Sequence, residues 1–220
     1  MVEKNTGKTK VHTIYRTKDG KRVPGTTTIT GILNKPALVP WANKLGLQGI
    51  DSRKFVDEKA AIGTLAHYIV ECYLKDIEPD LDDYSPNQVD LAENSVLKFY
   101  EWEENNPLTN VKCEMELVSE KHRYGGTEDI YAVLHGQNTL IDLKTSKAIY
   151  PEMWTQVSAY QNLLEEHGFI VDNVGILRIG RDEDEGFEYK EISKTKLDLH
   201  WEKFKHCLKI YEIDKQLRRK

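Results

Sequence analysis

The sequence predicts an α/β fold in which helices flank a mixed central sheet and the N-terminal part is mainly helical. Apolar residues recur at helical spacing over about residues 51–74 and 87–104. The pattern then changes to period two, between about residues 111 and 144. From there to the end, helix-like and strand-like segments alternate.

Residues 1–24 read as a polar lead-in with one hairpin, because VHTIYRT alternates like a strand and KDGKR is a turn signal. In VPGTTTITGILNKPALVPWANK the Thr/Ile run reads as a short strand or a helix entry, followed by two prolines. Asp51 to Leu74 reads as a helix, with Ala60, Ala61, Leu65, Ala66, Ile69, Val70 and Tyr73 near helical spacing. An acidic, Pro-containing loop covers residues 76–86. Asn87 to Glu104 is a second amphipathic helix, stopped by Asn105-Asn106-Pro107. VKCEMELVSE, GGTEDIYAVL and NTLIDLK are three strands, with RYGG and HGQN as the turns between them. Pro151 opens a helix that His167-Gly168 closes. VDNVGILRIG and GFEYKEI are two more strands around the acidic turn RDEDEG, and about Ser193 to Gln216 is a last helix. The expected organisation is one domain in three parts: 1–110 mainly helical, 111–192 sheet and helix, 193–220 C-terminal helix.

Composition narrows the class. With 39% hydrophobic and 30% charged residues in 220, the chain is expected to fold as an ordinary globular protein. No apolar run reaches the ~18 residues of a membrane span, and the polar N-terminus does not read as a secretory signal. Cys72, Cys113 and Cys207 are too scattered for a disulfide framework or a cysteine-only metal site, which fits a reducing cytoplasm. The net charge of −5 disfavours nonspecific wrapping of nucleic acid, but carboxylates that hold cations count as negative here. Basic clusters occur at Lys18, Lys21 and Arg22 and at Lys215, Arg218, Arg219 and Lys220; such tails are commonly just solvated.

Chemistry concentrates in GGTEDIYAVLHGQNTLIDLKTSK. Strand alternation puts Asp142 and Lys144 on one face, between apolar neighbours, where charges are costly unless paired or bound to an ion. A short hairpin makes the strand carrying Asp129 its neighbour, so the two carboxylates can converge on one cation. Hard oxygen ligands suit Mg2+ or Mn2+. A bound cation lowers the pKa of water, and with the Lys144 ammonium it stabilises the transition state of phosphodiester hydrolysis. An Asp-x-Lys on a strand is by itself most often a surface pair worth ~0–1 kcal/mol. Gln156 and Tyr160 share a face of the following helix, and His67 lies on the first long helix. Alone, Tyr160 would be a core aromatic and His67 a half-buried histidine. Glu71, one turn after His67, either supports it or pairs with Lys75.

Together these residues resemble the PD-(D/E)XK nuclease superfamily, in particular its RecB-type exonuclease branch, which includes phage exonucleases and the mitochondrial genome-maintenance exonuclease. The matching elements run in order: Gly63 to His67, Glu116, Gly126 to Asp129, Asp142 to Lys144, and Gln156 to Tyr160. The Thr-rich approach to the first long helix is also similar, so the resemblance covers roughly residues 11–165. It implies a restriction-endonuclease-like fold. It implies that His67, Asp129, Asp142 and the backbone carbonyl of Leu143 hold Mg2+ or Mn2+, and that Lys144 positions or activates the attacking water. Gln156 and Tyr160 would line the site, Glu116 or Glu114 would support it, and Thr145 and Lys147 would contact DNA. The four cysteines of cluster-bearing relatives are missing, so no iron–sulfur cluster is expected, and Glu128 stands where the superfamily name has proline.

The expected activity is therefore a metal-dependent DNA exonuclease acting on single strands or DNA ends in replication, recombination or repair, in the phage or prophage setting of its relatives. A recombination or replication protein is the expected partner, in a bacterial host cytoplasm. The alternatives are a structure-specific endonuclease, a catalytically silent DNA-end-binding subunit, and an interaction protein using the acidic loops LDDYS and RDEDEG.

Overall fold

Three choices near the N-terminus set up the fold. Thr26–Thr30 forms a one-turn helix, α1, which settles the Thr/Ile run as helical. Leu38–Leu47 forms a second helix, α2, which the prolines hid. Pro40 falls in its first turn, where the missing N–H would have had no partner in any case. Asp51 then caps α3 (Ser52–Leu74), its side chain accepting from the Arg53 and Lys54 amides. The structure, a computed structural model, describes residues 13–182 and 184–218.

Among the described residues the lead-in hairpin is a tight turn with one bridge, between Arg16 and Arg22, in place of a pair of strands; Val11 and His12 of its first arm, and Arg219 and Lys220 of the basic tail, lie outside the described residues. It docks on the sheet through the Gly125 amide, which donates to the Pro24 carbonyl.

The helix α4 spans Pro86–Glu103 and opens with a reciprocal Ser85–Gln88 capping box. The strands are β1 (Leu108–Ser119), β2 (Tyr124–Leu134), β3 (Gln137–Lys144), β4 (Asn173–Ile179) and β5 (Phe187–Glu191). They form one sheet in sequence order. Pairing is antiparallel except between β3 and β4, which are parallel and joined through α5 (Pro151–Glu166). The last helix, α6, spans Lys194–Leu217.

Alternation along the strands feeds two cores. Ile141 and Leu143 of β3, with Leu177 and Ile179 of β4, pack with Phe99 and Trp102 of α4 and Leu65 of α3. Leu140, Val174 and Ile176 pack with α5 and α6, around Leu163, Leu164 and Phe204. The sheet thus carries helices on both faces, the mixed α/β architecture the sequence predicts. Among the described residues, no helix is long and apolar enough to cross a membrane.

The hairpin between β2 and β3 turns at His135 and Gly136, both with positive φ (49° and 79°), the two-residue turn the sequence suggested. The expected RYGG turn is corrected. Chain reversal occurs at residues 120–123, where the Glu166 carboxylate accepts from the Ser119 hydroxyl and the Glu120 and Lys121 amides. Gly125 and Gly126, which also open the expected strand GGTEDIYAVL, lie inside β2, where neighbouring aromatics occupy the space a Cβ would take. A Cβ on Gly126 would sit 2.6 Å from the Tyr160 ring and 2.9 Å from Leu163, while one on Gly125 would collide with Tyr15. Gly126→Ala is therefore expected to destabilise the protein by about 1–3 kcal/mol, lowering Tm by several degrees in a circular-dichroism melt. An unchanged Tm would show that Tyr160 yields freely.

Candidate active site

A cleft of about 1860 Å³ opens where α3 faces the end of β3 and the start of α5. The floor is set by Asp129 on β2, whose Oδ2 accepts from the Leu143 amide at 2.8 Å. That bond ties β2 to β3 just before Lys144. His67 approaches from α3, its Nδ1 3.5 Å from Asp129 Oδ1. The helix comes this close because residue 63 is glycine: a Cβ there would meet Thr145 Oγ1 at 2.6 Å. Gly63 and His67 are four apart on one face, so the glycine brings the histidine's face down onto the sheet.

Glu114 completes the group. One ligand atom each from His67, Glu114 and Asp129 lie within 4.8 Å of one another. Glu114 adopts φ +53°, a left-handed backbone that non-glycine residues rarely take. Such strain persists where the surroundings over-determine it, and here it coincides with a candidate ligand. Between the two glutamates the sequence left open, the geometry selects Glu114. Glu116 also lines the cleft but bonds Thr13 at 3.5 Å and stands outside the trio. Glu71 pairs with Lys75 at 2.5 Å and is likewise outside it.

Asp142 is 1% exposed and lies against Lys144, with Oδ2 2.5 Å from Nζ. Beyond this ion pair neither Asp142 oxygen has a hydrogen-bond partner. Asp142 does not belong to the trio that could share one ion, so its expected place as a direct ligand beside Asp129 is not drawn by the side chains as they stand. It acts on the site through charge. Burial first, and then the Asp129 carboxylate, push the Asp142 carboxyl up to about 6 against the opposing pull of Lys144. Burial likewise lifts Glu114 to about 8, helped by Asp129. Asp129 is the exception: burial raises it, but the His67 charge and hydrogen bond and the Lys144 charge outweigh burial and hold it low. For Lys144, burial lowers the pKa, and the Asp142 and Asp129 charges more than restore it, so the ammonium stays protonated.

Gln156 and Tyr160 meet as their spacing suggested, Gln156 Nε2 donating to the Tyr160 hydroxyl at 2.7 Å. Gln156 reaches the cleft, while Tyr160 is buried behind it against Gly126. Burial and the Asp142 charge keep the phenol protonated. Thr145, Lys147 and Leu143 also border the cleft.

This donor set fits a hard divalent cation: two carboxylates and an imidazole converge, with buried carboxylate oxygens nearby that repel one another. Sequence reasoning missed Gly63's steric role, Tyr15, and the cleft wall formed by Trp41, Phe55 and Lys59. The aromatic and basic residues of α2 and early α3 were the available signal.

Glu128, beside Asp129, is fully buried with no partner for either oxygen, and burial raises it to about 9. The folded chain therefore holds a proton that the unfolded chain releases above about pH 4.5. The stability associated with this group is present at low pH and declines as pH rises toward 9. In EDTA, Glu128→Gln is expected to raise stability by a few kcal/mol at pH 8 and to change it little at pH 4.5, read by urea unfolding. Equal loss at both pH values would show that the carboxyl has a partner.

No protein-family model and no curated protein matches the chain. Among solved structures, the crystal structure of SSO0001 matches 55% of this chain at 14% identity and a TM-score of 0.32, too slight a likeness to carry an argument. The match spans about three fifths of that protein's length, 61%.

Proposed function

We propose that the chain is a divalent-metal-dependent deoxyribonuclease that degrades DNA from an end. The observation that carries this reading is the convergence of His67, Glu114 and Asp129 beside the Asp142–Lys144 pair, on the wall of an open cleft. The exonuclease assignment draws on the RecB-type resemblance, in particular on His67.

His67, Glu114 and Asp129 would hold Mg2+ or Mn2+, and the resemblance would add Asp142 and the Leu143 carbonyl to that set. Such an ion supplies Lewis acidity and a water of lowered pKa. The Asp142 and Asp129 charges raise the Lys144 pKa against burial, which favours its role as a cation. In that role Lys144 places the scissile phosphate and the attacking water and offsets charge in the transition state. Asp142 fixes the Lys144 head. Tyr160 and Gln156 form the back wall, and Lys147 and Thr145 would meet the DNA backbone. A site of this kind fits replication, recombination or repair, with a recombination or replication protein as partner.

Linear single-stranded, linear duplex and closed circular DNA, each with Mg2+, Mn2+ or EDTA, separate the readings. Metal-dependent shortening of linear DNA alone is the expected result. Cutting of circles would instead make the protein an endonuclease. No cleavage under any condition would contradict the catalytic reading and leave a DNA-end-binding subunit.

A further inference from the structure

The wall of the cleft opposite the catalytic strands has an unusual makeup. The helix α2 buries none of its residues. Its Trp41 meets Phe55 of α3 edge-on, with ring centroids 6.0 Å apart. Both rings line the cleft and both are only half-buried. Leu38 and Val56 border the same space and are about half exposed, at 51% and 48%. This wall is therefore an apolar, aromatic ledge left open to water, which marks a binding surface more often than a bare one.

Cations frame the ledge. Lys59 Nζ lies 5.9 Å from the Phe55 ring centroid. Arg181 reaches across from the loop after β4 to donate to the Lys59 carbonyl at 3.2 Å. Lys147 lines the same cleft, as does Lys35, which already pairs with Glu152 at 3.0 Å. Aromatic faces interleaved with cations suit a ligand that presents flat rings and phosphates together, which an unpaired nucleic-acid strand does. A duplex keeps its base faces stacked inside and offers only groove edges and backbone. An apolar protein partner would leave the cations unmatched.

Position sets a length. Phe55 precedes His67 by three turns and a little more on the same helix, about 18 Å along its axis. At about 3.4 Å per stacked nucleotide, that distance is roughly five nucleotides.

We infer that Trp41 and Phe55 form a base-stacking ledge that grips an unpaired DNA strand roughly five nucleotides from the bond to be cut. The inference rests on the nuclease reading for the identity of the strand, but its test does not need cleavage. The ledge selects for a single-stranded segment, whether a free strand or an overhang, and it asks a minimum length of that segment.

The test is fluorescence anisotropy in EDTA, with labelled oligo(dT) of 4 to 12 nucleotides and an abasic 12-mer. Wild type is expected to gain affinity once the strand is long enough to reach the ledge. Trp41→Ala is expected to lose that gain, weakening the 12-mer roughly 5- to 100-fold, while Trp41→Phe largely restores it. The abasic strand should bind wild type weakly and be indifferent to Trp41→Ala. Trp41 lies on a helix with no buried residue, so folding should survive, as circular dichroism would verify. Trp41→Ala affinity within twofold of wild type, or an abasic strand bound as tightly as oligo(dT), would overturn the ledge. So would a concentration-dependent dimer abolished by Trp41→Ala while DNA binding stays intact. Loss of oligo(dT) affinity in Trp41→Ala by a protein that cleaves nothing would sustain the ledge and fail the nuclease; intact cleavage and binding in Trp41→Ala would do the reverse.

Discussion

Lys144→Ala is expected to reduce metal-dependent DNA cleavage by about 10³-fold while leaving DNA binding within a few-fold of wild type. Lys144 is the cation closest to Asp142 and is held in its charged form by the two aspartates. Its removal takes away charge stabilisation that matters most as the phosphate becomes more negative, so the loss falls on kcat rather than KM. The substitution also leaves Asp142 buried without its ion-pair partner. Breaking a buried pair can cost about 3–5 kcal/mol. Here burial has already pushed the Asp142 carboxyl up to about 6, so it takes up a proton and softens that loss. With Lys144 gone, its pKa rises further above the unfolded value. The stability tied to it is then present at low pH and lost as pH increases. Lys144→Ala should melt close to wild type at pH 5 and well below it at pH 8. The double variant Lys144→Ala/Asp142→Asn should recover the melting temperature at pH 8 and none of the activity. Recovered activity would show that Lys144 serves only to hold the strand together.

The second large effect is expected at Asp129. Asp129→Asn keeps an oxygen able to accept from the Leu143 amide, so the β2–β3 tie survives. It removes the carboxylate that stands between His67 and Lys144. Calorimetric titration with Mn2+ should show affinity lowered at least about 100-fold. Wild type at a Mn2+ concentration 100 times Kd should gain about 2.7 kcal/mol of stability, seen as a rise in Tm of several degrees. Asp129→Asn should show no such rise. An identical Mn2+ shift in both proteins would place any ion elsewhere.

Much of the site was legible because it is local. Asp142 and Lys144 follow from strand alternation, Asp129 from a two-residue hairpin, and Gln156–Tyr160 from helical spacing. The turns and breakers were less transparent, since glycine and proline each have more than one use. Gly125 and Gly126 read both as the end of a turn and as the start of a strand; they sit in the strand, where they make room for Tyr15 and Tyr160. No helix is read from the sequence around Pro36 and Pro40, yet Pro40 occupies the first turn of α2. Glu114 and Glu116 share strand parity in the sequence, and what separates them is tertiary: Glu114 converges with His67 and Asp129, and its backbone takes a positive φ. Gly63 could not be understood from spacing alone, because its neighbour Thr145 comes from a distant strand. These residual features depend on tertiary contacts, which a periodic pattern does not encode.

The decisive measurement is a time course of end-labelled linear single-stranded DNA with wild-type protein and Lys144→Ala, in Mg2+ and in EDTA. Progressive shortening by wild type in Mg2+ alone, absent from Lys144→Ala, is the expected result. Shortening that persists in EDTA, or that Lys144→Ala carries out at the wild-type rate, would contradict a metal-dependent nuclease centred on His67, Glu114, Asp129 and Lys144.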